Sequence, residues 1–407
     1  MNLKAGLVFS LFIFSIIPET YADDAAVLPQ GRWRLRLATA YSQFTNQLND
    51  SGISSSLGST YSKSLDAKFL SLINKNSAAL FKAVNAAPLN ANISQAAELK
   101  TDVDSMFISN TLVAEYGLTD RLSIGVIVPI IHGEIKVKST STPDQNFERV
   151  TNNMPDPNLK AAMSQMSAAT TTQGLNSLLT NQFQYSSGLK SWSSTGVGDV
   201  EIGAKYNYYN ALPLKTTFKL GTRLPTGNEK DENVLVNAGF GDGQWDIGAY
   251  HYVDYQPLSN LYFTLETGYI AQLPNSGNYR IPFSADLPIG MAPTSLQRKL
   301  GDYWEAGLEG NLTLQKYWTI SPKYRFKQKF SDSFSGGPAG VDLSLLENNT
   351  DELLHEGLIQ LEYSNLPAVR AGQSRIPYGV TAFYRQPFAG KNVVDARTAG
   401  MMIKSYF

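Results

Sequence analysis

Few residues in the chain could carry acid–base or metal chemistry, and their spacing is wrong for both. The three histidines are His132, His251 and His355. No two of them stand at metal-ligand spacing, and His355-Glu356 lacks the second histidine of a zinc-protease helix. There is no cysteine, so disulfides and thiolate metal sites are excluded. No Gly-x-Ser-x-Gly turn or phosphate-cradling glycine loop occurs. A lipid hydrolase with histidine and serine two apart on one strand is disfavoured, because Glu134, Val253 and Gly357 follow the three histidines at that distance. No catalytic residue, cofactor or metal is expected.

The charged residues are more informative. Arg32, Arg34 and Arg36 alternate with Trp33, Leu35 and Leu37. Asp199, Glu201 and Lys205 alternate with Val200, Ile202 and Ala204. The same period of two holds for Lys215, Lys219 and Arg223, for Glu305 and Glu309, for Lys323, Arg325 and Lys327, and for Glu356 and Glu362. In a strand this period gathers each set on one face and leaves an apolar opposite face. Charges on a wet inner face can line a permeation path and set ion preference. They can equally pair across strands into a lattice that fills a narrow barrel. Both readings stand at this point.

The elements that would hold these ladders recur along the chain. About twelve alternating stretches of roughly ten residues are predicted. Short turns such as Gly117–Asp120, Asn210–Pro213 and Pro257–Asn260 alternate with long connections. The longest cover 45–104 and 137–194, and both carry a loose helical spacing of apolar residues. This pattern predicts an all-β, transmembrane, antiparallel up-and-down barrel with two long, partly helical outer loops. Trp33, Tyr116, Trp245, Trp304 and Trp318 fall near strand ends, as interfacial belts require. Phe69, Leu72, Phe81, Met163 and Met166 in the helical loops suggest an apolar lid. A net charge of −1 gives no reason to expect nucleic acid.

Both termini suit export. Residues 1–22 combine Lys4, an apolar core from Leu7 to Ile17 and the cleavage-like Thr20-Tyr21-Ala22, which together predict a signal peptide. The barrel would then occupy 23–407, and the stretch from Asp23 to Gln30 is too short to plug it. The chain closes on a period-2 strand ending in Phe407. This terminus resembles the closing strand of bacterial outer-membrane barrels, which implies recognition by the barrel-assembly machinery. The other implied partners are outer-membrane lipid, lipopolysaccharide and a small-molecule permeant, in a Gram-negative outer membrane.

Four segments carry a family resemblance. They are Tyr116-Gly117-Leu118-Thr119-Asp120-Arg121-Leu122, Val197-Gly198-Asp199-Val200-Glu201-Ile202-Gly203, Arg223-Leu224-Pro225-Thr226-Gly227 and Gly243-Gln244-Trp245-Asp246-Ile247-Gly248. Together they resemble the bacterial outer-membrane proteins grouped as the phenol meta-pathway degradation family. The resemblance implies a barrel that passes small aromatic or apolar compounds. The expected function is therefore a passive channel for such molecules. The alternative is a closed barrel whose outer loops bind a partner or lipopolysaccharide.

Overall fold

The computed structural model describes residues 24–407 except Pro88, Asn90 and Asp286, so the expected signal peptide lies outside the described residues. The main sheet closes on itself as a twelve-stranded antiparallel barrel. Its strands are β1 (Trp33–Phe44), β2 (Gln95–Thr119), β3 (Leu122–Pro143), β4 (Val200–Ala211), β5 (Leu214–Leu224) and β6 (Asp246–Leu258). They continue as β7 (Leu261–Gln272), β8 (Tyr303–Leu314), β9 (Trp318–Lys329), β10 (Glu352–Ser364), β11 (Tyr378–Lys391) and β12 (Arg397–Tyr406). Each strand pairs with the next, and β12 returns to β1 from Arg34↔Tyr406 to Gln43↔Arg397. Closure leaves no unpaired edge, which a membrane-spanning sheet requires.

The period-2 pattern decides which face looks inward. On β1, Leu35, Leu37 and Tyr41 are exposed outward, whereas Arg36, Ala38 and Ala40 are buried. The outward band is apolar on every strand, and Trp33, Trp245, Trp304 and Trp318 stand in it near the rims. Polar and charged side chains turn inward, the reverse of a soluble core.

Two expected boundaries need correction. Residues 95–104 and 137–143 belong to strands rather than to loops, because β2 and β3 run for 25 and 22 residues. Their register is continuous from Thr119↔Leu122 to Ala97↔Pro143, apart from one irregularity beside the turn. At about 3.3 Å per residue, β2 extends roughly 80 Å, far more than the ~10 residues that cross a bilayer. The apolar alternation fades in this outer half, where Lys100, Asp102, Lys136 and Lys138 replace lipid-facing residues.

The two insertions do not form separate loops. Five helices pack together around the extended hairpin: α1 (Ala67–Ile73), α2 (Asn76–Ala86), α3 (Gln145–Asn153), α4 (Pro157–Ala169) and α5 (Thr172–Asn181). Asp66, Asp144, Asp156 and Thr171 cap four of them through side-chain oxygens. Leu70, Phe81, Val84, Phe147, Val150 and Met163 form the core of this cap. The expected lid residues therefore hold the cap together instead of facing a channel. Phe81 and Met163 are buried, Phe69 and Met166 pack against them, and only Leu72 is exposed.

Candidate permeation path

The inward charges meet in cross-strand pairs because antiparallel neighbours in register stand about 5 Å apart. Arg34 grips Glu115 with two bonds of 2.6 and 2.7 Å, and Arg36 reaches the same carboxylate at 3.1 Å. Arg223 bridges Glu201 at 2.8 Å and Asp246 at 3.1 Å. Lys323 binds Glu266 at 2.7 Å, with Glu309 opposite it in register. Arg325 pairs with Glu305 at 2.8 Å and lies 3.7 Å from Glu356. Lys327 reaches Glu352 at 3.3 Å, and Glu362 accepts from Lys404 at 2.8 Å.

The remaining ladder residues are placed differently. The Lys205 ammonium lies 4.8 Å from the centre of the Tyr252 ring, and that of Lys219 lies 5.0 Å from Tyr250. Lys215 is half-buried opposite Asp254. Asp199 sits just before β4, where its carboxylate accepts from the Gly227 N–H at 2.8 Å and the Asp242 N–H at 3.4 Å. Arg32 is exposed in the turn before β1, apart from the ladder that Arg34 and Arg36 begin. The partners Glu115, Glu266, Asp246 and Lys404 share the inward parity of the predicted residues. That parity was the signal available for them in the sequence.

The barrel axis is filled at both ends. At the short-turn rim, residues 24–30 fold into the mouth, correcting the expectation that this segment is too short to plug it. Ala25 is fully buried, donates its N–H to Asp254 at 3.1 Å, and gives its carbonyl to Asn207 at 3.1 Å and to Thr217. Leu28 donates to Ser123 at 2.8 Å, and Gln30 to Asp120 at 3.0 Å. Gly117 admits this segment, because a Cβ there would stand 2.1 Å from the Pro29 carbonyl oxygen. A segment this short suffices because a barrel of twelve strands is slim. At the long-loop rim, Phe44, Phe107, Ile131, Phe183, Tyr185 and Phe240 pack into an apolar core drawn from strands and loops.

Between the two plugs the wall is thin on one side. Gly125, Gly203, Gly221 and Gly248 stand in register across β3, β4, β5 and β6, all at inward parity. No side chain projects inward along this row, and a cavity of about 720 Å³ opens over it. Tyr250 lies over the end of the row, where a Cβ at Gly248 would come within 3.1 Å of its ring. Outside the same wall, Trp33, Ile124, Ile202, Leu220 and Ile247 line an open apolar groove of about 1440 Å³. Gly125, Gly203 and Gly221 border both spaces. Sequence inspection overlooked the row, because glycines on neighbouring strands align only once the register is known.

No family model matches the chain, and no curated protein matches it in sequence. Solved structures do match in fold. An outer membrane channel from Pseudomonas putida F1 covers 96% of this chain and 100% of its own, with 12% identity and a TM-score of 0.51. The CymD monoaromatic hydrocarbon channel covers 93% of this chain and 89% of its own, with 8% identity and a TM-score of 0.34. A Pseudomonas aeruginosa FadL homologue covers 92% and 90%, with 10% identity and a TM-score of 0.32. The last two superpose too loosely to support an argument. In fold, the chain is a twelve-stranded outer-membrane β-barrel with both ends of its axis filled by its own residues.

Proposed function

We propose that the protein is a passive outer-membrane conduit for small hydrophobic molecules, aromatic compounds among them, and that these cross the barrel wall at the glycine row. The observation that carries this reading is the pair of spaces backed onto the same three glycines. The inner cavity is walled on that side by backbone alone, and the outer groove is apolar and faces lipid. A polar solute would have to pass the ion-paired lattice and a plug at either end. An apolar solute loses nothing on entering lipid and gains roughly 25 cal/mol for each Å² it removes from water. The fold neighbour in Pseudomonas putida F1, described as an outer membrane channel, is consistent with this reading.

The test is permeation into liposomes that hold the refolded protein. Phenol-like aromatics should enter well above empty liposomes while neutral sugars are excluded. Equal passage of sugars and salts would point to a general pore. The two packed plugs favour one rival, a closed barrel whose cap binds a partner. Failure of any solute to pass through a folded, heat-modifiable protein would select it.

A further inference from the structure

One sector of the short-turn rim combines aromatic rings with unpaired cations. Tyr317 and Trp318 at the start of β9, Tyr363 near the end of β10 and Tyr378 at the start of β11 form a continuous patch on the outer wall. The ring centres of Tyr317, Trp318 and Tyr378 lie 6.1, 5.3 and 6.1 Å from that of Tyr363. The connection 365–377 begins beside this patch and is much longer than the other turns at this rim.

That connection is an ordered structure. Asn365 donates to the Ile376 carbonyl at 2.9 Å and to Ser374 at 3.2 Å, and it accepts the Tyr378 N–H at 2.7 Å. The Ser364 N–H donates to the Tyr317 carbonyl at 2.8 Å, fastening the loop base to the β8–β9 turn. The loop exposes Arg370 and Arg375, and the neighbouring turn exposes Lys316. Among the described residues none of the three has a carboxylate partner. The nearby Glu362 points inward and is held by Lys404. Ile376, next to Arg375, is 60% exposed.

Charge and apolar surface together identify the occupant. Tyrosine and tryptophan rings settle at the level of lipid headgroups, and the short-turn rim of such barrels faces the inner leaflet. Arginine and lysine just beyond that belt attract anionic headgroups, and the guanidinium fork matches a phosphate. We infer that this sector binds an anionic phospholipid of the inner leaflet. Its phosphodiester sits among Lys316, Arg370 and Arg375, and its glycerol and upper acyl chain lie along the rings and Ile376.

The experiment is lipid retention by native mass spectrometry of the full-length protein from bilayers of phosphatidylethanolamine and phosphatidylglycerol. Wild type should keep phosphatidylglycerol preferentially. The variant Lys316→Gln/Arg370→Gln/Arg375→Gln should lower that preference by about threefold or more. A variant with the same loss of charge in the cap, Lys68→Gln/Lys75→Gln/Lys82→Gln, should keep it. Equal retention by wild type and the rim variant overturns the inference. So does complete competition by inorganic phosphate, which would mark a site for free phosphate. The substituted side chains are exposed and unpaired, so folding should survive. Arg370→Gln alone gives a smaller change in the same direction should the triple variant fail to fold.

Discussion

Gly203 on β4 stands directly opposite Gly221 on β5, both at inward parity, with Gly125 and Gly248 extending the row on either side. A strand face needs side chains to pack, so four aligned glycines leave a stretch of wall one backbone thick. Filling the row should close the path. Gly125 is the mildest place to do so, because the nearest atom to a new Cβ is the flexible Glu115 Cγ at 3.1 Å. Gly125→Leu should cut uptake of aromatics by about tenfold through steric exclusion while leaving the barrel folded. Liposome uptake, with heat-modifiability as the folding control, measures both.

Deleting residues 24–30 should open the axis at the short-turn rim. The segment is held by Asp254, Asn207, Ser123 and Asp120, none of which anchors a neighbouring strand. The expected outcome is a barrel with raised single-channel conductance and new permeability to small sugars. Unchanged conductance would show that the long-loop plug alone closes the axis.

Arg223 is the most connected cation in the lattice beside the row. Replacing it with alanine leaves Glu201 and Asp246 facing each other without a bridge. Breaking a largely buried pair in this way costs about 3 kcal/mol. Urea unfolding followed by tryptophan fluorescence should show that loss. A replacement that also removes both carboxylates, Arg223→Met/Glu201→Gln/Asp246→Asn, should recover most of it.

The loop 226–244 should be sensitive to pH. It is tied down by the Asp199 carboxylate, and burial lifts that group to about 6 and Asp242 to about 7. Both folded-state values lie above the ordinary carboxylate value. The folded loop therefore prefers the protonated forms, and this share of its stability is complete in acid and fades as pH rises through about 6 to 7. Hydrogen exchange of this loop, normalised for intrinsic rates, should show less protection at pH 8 than at pH 5. Equal protection would mean that the carboxylates do not govern the loop.

Phe407 exchanges backbone hydrogen bonds with Trp33 at 3.0 and 3.1 Å, so the last residue forms part of the seam. Removing it should slow assembly in cells far more than refolding in detergent, since the C-terminal aromatic resembles an assembly signal. Similar slowing in both settings would assign it a purely structural role.

The strands were legible in the sequence because a lipid-facing surface forces strict alternation, as at Leu35, Leu37 and Tyr41. The charge ladders were legible for the same reason. Arg32 was misplaced because parity alone cannot say where a strand begins. The outer halves of β2 and β3 were read as loop because residues such as Asp102 and Lys138 no longer face lipid. The plug was missed because nothing in the composition of 24–30 marks insertion; its bonds go to residues far along the chain, such as Asp254 and Thr217. The glycine row depends on register across four strands, which a single sequence does not display.

The most direct test is uptake of a phenol-like aromatic and a neutral sugar by liposomes carrying wild type or Gly125→Leu. The account predicts rapid aromatic uptake and sugar exclusion by wild type, with aromatic uptake largely lost in the variant. Equal aromatic uptake by the two folded proteins would contradict passage through the wall at the glycine row.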